Sequence, residues 1–69
     1  MNNYYATPQA KEDLISLIGK ESYQELRDRF SAMLEHGEES VSEYDFALAD
    51  YDLDADWFDT LYWDIILND

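Results

Sequence analysis

Ser22-Tyr23-Gln24-Glu25-Leu26-Arg27-Asp28-Arg29-Phe30-Ser31-Ala32-Met33-Leu34-Glu35-His36-Gly37 is the stretch that decides the fold. Tyr23, Leu26, Phe30, Met33 and Leu34 recur at intervals of three and four, which places them on one face of an α-helix. Ser22 with Glu25 three residues later reads as a capping box at its start, and Gly37 supplies the stop. Upstream, Thr7-Pro8 offers an N-cap followed by proline at the first helical position. Ala10, Leu14, Leu17 and Ile18 then share a face that ends at Gly19. Downstream, Ser40 and Glu43 repeat the capping pattern ahead of Val41, Tyr44, Leu48 and Tyr51, and this third helix stops near Asp50. Asp54 or Asp56 caps a last helix whose inner side is Phe58, Leu61, Tyr62, Ile65 and Ile66. The apolar and acidic alternation from Tyr51 to Trp57 has the period of a strand, with no second segment to pair it. The expectation is an all-α, compact single domain over residues 1–69, built of three to four short helices, with residues 1–6 a loosely ordered N-terminus.

The chain has 69 residues, 46% hydrophobic and 16% aromatic. A chain this short buries about 60% of its unfolded surface, so the core is small. Its apolar content nevertheless separates it from disordered acidic tails. The expected radius of gyration is about 11 Å, a body near ~28 Å across. There is no cysteine, so neither a disulfide framework nor a thiolate metal site is available, and a reducing, cytoplasmic location fits. Unbroken apolar runs such as Ile65 to Leu67 are far below the roughly 20 residues of a membrane span. The segment from Met1 to Tyr5 lacks the basic-then-apolar pattern of a secretory signal.

Charge is the most informative property. Seventeen acids against four bases give a net charge of −13. Residues 1–29 hold all four bases, Lys11, Lys20, Arg27 and Arg29, and five acids; residues 30–69 hold twelve acids and no Lys or Arg, net −12. Duplex DNA carries one charge per ~1.7 Å of axis, so thirteen charges correspond to about 22 Å of duplex. Such a surface repels nucleic acid and anionic membrane, and its natural partner is a basic protein surface. Self-repulsion on this scale destabilises the fold unless something offsets it. Crowded carboxylates should also have raised pKa values, so that stability falls as pH rises through their range and recovers with salt.

Chemistry-bearing constellations are sparse. No serine lies in a nucleophile-elbow setting, Gly19 and Gly37 make no phosphate loop, and no His/Cys cluster suits zinc. His36 precedes Gly37 at a helix end, where it complements the helix dipole rather than serving as a base. With so many acids, a catalytic carboxylate pair carries no information. The sequence thus reads as a non-enzyme without cofactor. Asp50, Asp52, Asp54 and Asp56 imitate the start of a calcium loop, but Ala55 replaces the turn glycine and Leu61 the bidentate glutamate, leaving at most a weak calcium-binding module.

A row of carboxylates about 6.6 Å apart in an extended segment, or about 5–6 Å apart on a helix, approximates the spacing of backbone phosphates. Arginine pairs with carboxylate as well as with phosphate. Glu38, Glu39, Glu43, Asp45, Asp50, Asp52, Asp54, Asp56, Asp59 and Asp64 are the candidate phosphate surrogates. Phe46 and Trp63, which fall off the apolar stripes, are either covered, by a central last helix buried on two sides or by a dimer interface, or displayed as anchors within the acidic surface. With Tyr51, Trp57 and Trp63 interspersed among the acids from Glu35 to Asp69, the chain resembles the small acidic DNA-mimic inhibitors of phages and mobile elements, anti-CRISPR proteins in particular. The resemblance lies in size, charge and helix content over the whole chain. It implies a stoichiometric inhibitor in a bacterial cytoplasm that occupies the DNA- or PAM-binding groove of a CRISPR effector complex. Two other readings stand beside it: an acidic protein-protein adaptor or antitoxin-like module, and the calcium module. A monomer and a homodimer are both compatible with the sequence.

Overall fold

Thr7 and Pro8 open the first helix as their chemistry predicts: Thr7 Oγ1 accepts the Ala10 N–H at 3.2 Å, and Pro8 holds the first helical position. In the computed structural model, which describes residues 3–37 and 41–68, four helices follow in order: α1 (Pro8–Ile18), α2 (Lys20–Glu35), α3 (Val41–Ala49) and α4 (Trp57–Asn68). The fold is all-α, with a radius of gyration of 11.1 Å and extents of 28 × 25 × 21 Å. Among the described residues no helix is long and apolar enough to cross a membrane.

Gly19 joins α1 to α2 alone. Its φ of +90° and ψ of 153° lie in a region open essentially only to glycine. Its N–H donates to Ile15 O at 2.8 Å and its carbonyl accepts from Tyr23 N–H at 2.9 Å, so one residue closes one helix and opens the next. The capping box expected at Ser22 is therefore not used. α2 begins at Lys20, with Gly19 in the N-cap position and no side-chain cap.

The core is Leu14, Tyr23, Leu26, Phe30, Tyr44, Ala47, Leu48, Leu61 and Ile65. Phe30 is its centre, with ring centroids 5.0 Å from Tyr44 and 5.8 Å from Phe58. The first is an edge-to-face contact, a geometry that adds about 0.5–1.5 kcal/mol to the burial itself.

Two expected faces are rotated. Leu17 is 65% exposed, and on α4 the buried set is Thr60, Leu61, Asp64 and Ile65 while Tyr62 and Ile66 face outward. α4 is apolar almost all round, so apolar spacing alone does not set its rotation. A polar requirement does. Asp64 is held by Lys11 of α1 and by Tyr23 and Arg27 of α2, which turns its side of α4 inward and the Lys11 side of α1 toward it, carrying Leu17 out.

Of the N-terminal segment 1–6, residues 1 and 2 lie outside the described residues, and Tyr4–Ala6 form a 3-10 turn in which the Asn3 side chain accepts the Tyr5 N–H. The turn docks on α4, with the Tyr5 ring 5.0 Å from Trp57 at 87° and Thr60 Oγ1 donating to Tyr5 O at 2.5 Å.

α3 ends without glycine. The Leu53 N–H donates to Leu48 O and the Asp52 N–H to Ala49 O, each at 3.0 Å, the paired bonds of a Schellman motif. Asp52 takes the left-handed position at φ 59°. Leu53 then folds back onto the core beside Leu48, and the main-chain carbonyls of Asp54, Ala55 and Asp56 accept from Trp57, Phe58 and Asp59 to start α4. The alternating segment is thus two successive turns, neither a strand nor a helix.

Candidate functional site

Residues 41–59 carry seven acids and no base. The two turns between α3 and α4 point Tyr51, Leu53 and Trp57 toward the core and leave Asp50, Asp52, Asp54 and Asp56 exposed. Alternation of apolar and acidic residues survives as an inside-outside pattern, broken at exposed Ala55, along a bent rim rather than the straight row the spacing predicts. Glu43 and Asp59 extend the rim onto the flanking helices as exposed carboxylates, and Asp45 is half-buried. Asp50 is partnered by Arg29, with Nη1 donating to Oδ2 at 2.8 Å, and Asp59 Oδ2 accepts from Asn3 Nδ2 at 2.9 Å. Among the described residues no base pairs with Asp52, Asp54 or Asp56. Glu38 and Glu39 lie outside the described residues.

Asp64 does not belong to this surface, and its assignment as a phosphate surrogate is corrected. It is 1% exposed. Oδ1 accepts from Lys11 Nζ at 3.0 Å and Asn68 Nδ2 at 2.7 Å; Oδ2 accepts from Tyr23 OH at 2.7 Å and Arg27 Nε at 2.9 Å. Four donors fill the acceptor capacity of an ionised carboxylate and leave nothing for a partner. Burial by itself would push this carboxyl up, but the bonds from Tyr23, Lys11, Arg27 and Asn68 outweigh it and hold Asp64 below the ordinary carboxylate range. The Tyr23 hydroxyl is pushed the other way, first by burial and then by its bond to Asp64. Asp13 is also lowered, by hydrogen bonds from the Tyr4 hydroxyl and from Gln9. Both carboxyls move opposite to the upward shift that crowding predicts, because each has donors in place.

The same cluster explains where the positive charge goes. Lys11 and Arg27 are committed to Asp64, and Lys20 lines the same hollow together with Tyr23, Gln24 and Asn68. That hollow sits at the C-terminal end of α4, whereas the acidic rim sits at its N-terminal end. Eleven residue steps at ~1.5 Å separate Trp57 from Asn68, about 16 Å. The fold therefore polarises the molecule along α4. Two carboxylates, Asp50 and Asp64, hold three of the four bases, and only Arg29 of these reaches the rim.

The two candidate aromatics part company. Phe46 is 64% exposed on the outer side of α3, away from Tyr44 and Leu48. Trp63 is half-buried and lines a groove with Asn3, Ala6 and Leu67. Exposed Tyr62 and Ile66 lie beside it, residues that apolar spacing had assigned to the core. No grouping of three or more His, Cys, Asp or Glu side chains able to hold a metal ion occurs among the described residues. The aspartates from 50 to 56 splay around the rim instead of converging as a calcium loop requires.

Comparison with protein-family models, with curated protein sequences and with solved structures gives no match.

Proposed function

We propose that this chain is a stoichiometric inhibitor of a nucleic-acid-binding protein, acting by DNA mimicry, with the DNA- or PAM-binding groove of a CRISPR effector complex as its first candidate target. The observation that carries the reading is the segregation of charge. Lys11 and Arg27 gather around Asp64 in the second half of α4, and among the described residues Arg29 is the one base that pairs with any of the seven acids of the rim from Glu43 to Asp59. A rim of this kind offers carboxylates to the Arg and Lys side chains of a groove built for phosphates.

Asp52 supports the same reading. It stands in a left-handed position where glycine is the unstrained choice. The carboxylate it carries is exposed, within reach of a partner's Arg or Lys side chains.

Capture from a nuclease-treated bacterial lysate containing an active CRISPR effector tests the proposal. The expected result is recovery of a nucleic-acid-binding complex that is released by competing duplex DNA and by salt. Exposed Phe46 favours a second reading, an acidic adaptor or antitoxin-like module. In that case the captured partner is indifferent to duplex DNA, and Phe46→Ala weakens capture more than neutralising several acids.

A further inference from the structure

Tyr62 and Ile66 form a ridge on the outer face of α4 with a groove on each side. One groove is lined by Asn3, Ala6, Asp59, Trp63 and Leu67 besides the ridge itself, the other by Ser31, Leu34, Glu35 and Ile65. The ridge is open: Tyr62 is 43%, Ile66 58% and Leu67 61% exposed. It is also stiff, because the Tyr62 ring stacks on Phe58 at 5.6 Å and 14°, and Phe58 meets Tyr44 and Phe30 in the core. Each groove contains one acid and no base. Aromatic and aliphatic side chains on a rigid element, bordered by charge, make up the centre and rim of a protein interface.

We infer that this ridge docks a basic amphipathic segment of the partner protein, its apolar side chains seated in the grooves beside Tyr62 and Ile66 and its Lys or Arg side chains meeting Asp59 and Glu35. The inference deepens the proposed function and rests on it: the rim attracts the partner, and the ridge holds it. Charge selects this occupant over a second copy of the chain. A two-fold pairing across α4 would bring Asp59 and Glu35 against like charges on two bodies of −13 each. A segment bearing Lys or Arg instead neutralises both groove acids.

The test uses two peptides of about 18 residues and identical Leu/Lys composition. One has leucines at helical spacing i, i+3, i+4, i+7; the other is scrambled so that no apolar face forms. Binding is read by fluorescence anisotropy. The patterned peptide should bind about tenfold tighter, with the difference persisting near 0.5 M salt. Ile66→Ser with Leu67→Ser should abolish that difference and leave the scrambled peptide unchanged; if the double variant does not fold, Leu67→Ser alone should reduce it. Equal binding of the two peptides overturns the inference, as does a serine variant that keeps the tenfold, or a dimer in sedimentation equilibrium that the serine variant dissociates. Neutralising Asp52, Asp54 and Asp56 to Asn reports on the rim separately: it should weaken both peptides alike. If it weakens neither while the tenfold persists, the rim reading fails and the ridge stands.

Discussion

Asp64→Asn removes one negative charge from the junction of α1, α2 and α4 with almost no change in volume, and its cost follows from the geometry. The carboxylate accepts from two cations and two neutral donors, and it is 1% exposed. Breaking a buried ion pair by removing one partner costs about 3–5 kcal/mol, mostly through the charge left behind. Here the abandoned cations reach water, the Lys11 side chain being 35% and that of Arg27 17% exposed, which brings the value to the lower limit, about 3 kcal/mol. At 0.05–0.15 kcal/mol per residue the whole domain has about 3–10 kcal/mol. The melting temperature should then fall by roughly 12–24 °C, since 1 kcal/mol corresponds to about 4–8 °C in a domain this small. Acidity supplies the control. The folded carboxyl of Asp64 sits below its unfolded value, so the unfolded chain takes up this proton first as pH falls. Its contribution is complete above the unfolded carboxylate range near ~3.9 and is lost as pH drops through the folded value. Thermal melts followed by circular dichroism, wild type against variant, should differ widely at pH 7 and converge below about pH 4. A variant that melts within about 4 °C of wild type at pH 7, or a difference unchanged at pH 3, refutes the reasoning.

Other perturbations probe other links. Phe30→Ala should cost about 3–5 kcal/mol and leave the chain largely unfolded by circular dichroism, because it empties the centre of the aromatic cluster. Gly19→Ala meets no atom within 4 Å, so any loss comes from the backbone at φ +90°; urea titration should show about 1–3 kcal/mol. Asp52→Gly should stabilise the fold by up to about 1 kcal/mol through relief of the left-handed position, while weakening salt-sensitive binding to the target. At neutral pH the melting temperature should rise with ionic strength as salt screens the charge of −13.

The elements legible in the sequence are those whose signals are local. Thr7-Pro8, Gly19 and the Tyr23–Leu34 stripe located α1 and α2, since a cap and an apolar face of about three turns leave one solution. α4 was legible as a helix but not in its rotation, because Trp57, Trp63 and Leu67 lie outside the stripe of Phe58, Leu61, Tyr62, Ile65 and Ile66 and interrupt the polar side made by Asp59, Thr60, Asp64 and Asn68. The missing information was long-range. All four bases precede residue 30, so a buried acid in the second half has to draw its partners from α1 and α2. Asp64, three residues after Leu61 and one before Ile65, stands on the inner stripe where that acid would be. The acidic rim was legible as composition, and its inside-outside alternation as well. Its shape was not, because the Schellman closure of α3 at Asp52 uses a residue other than the usual glycine.

The central claim is that the acidic rim occupies a groove made for nucleic acid. Its most direct test is displacement of a fluorescent target duplex from a purified CRISPR effector complex as this protein is added, at low and high ionic strength. The account predicts stoichiometric displacement that weakens with salt and is lost when Asp52, Asp54 and Asp56 are changed to Asn in a variant that remains folded. Binding of the protein while the duplex stays in place, or displacement undiminished in the Asn variant, would contradict it.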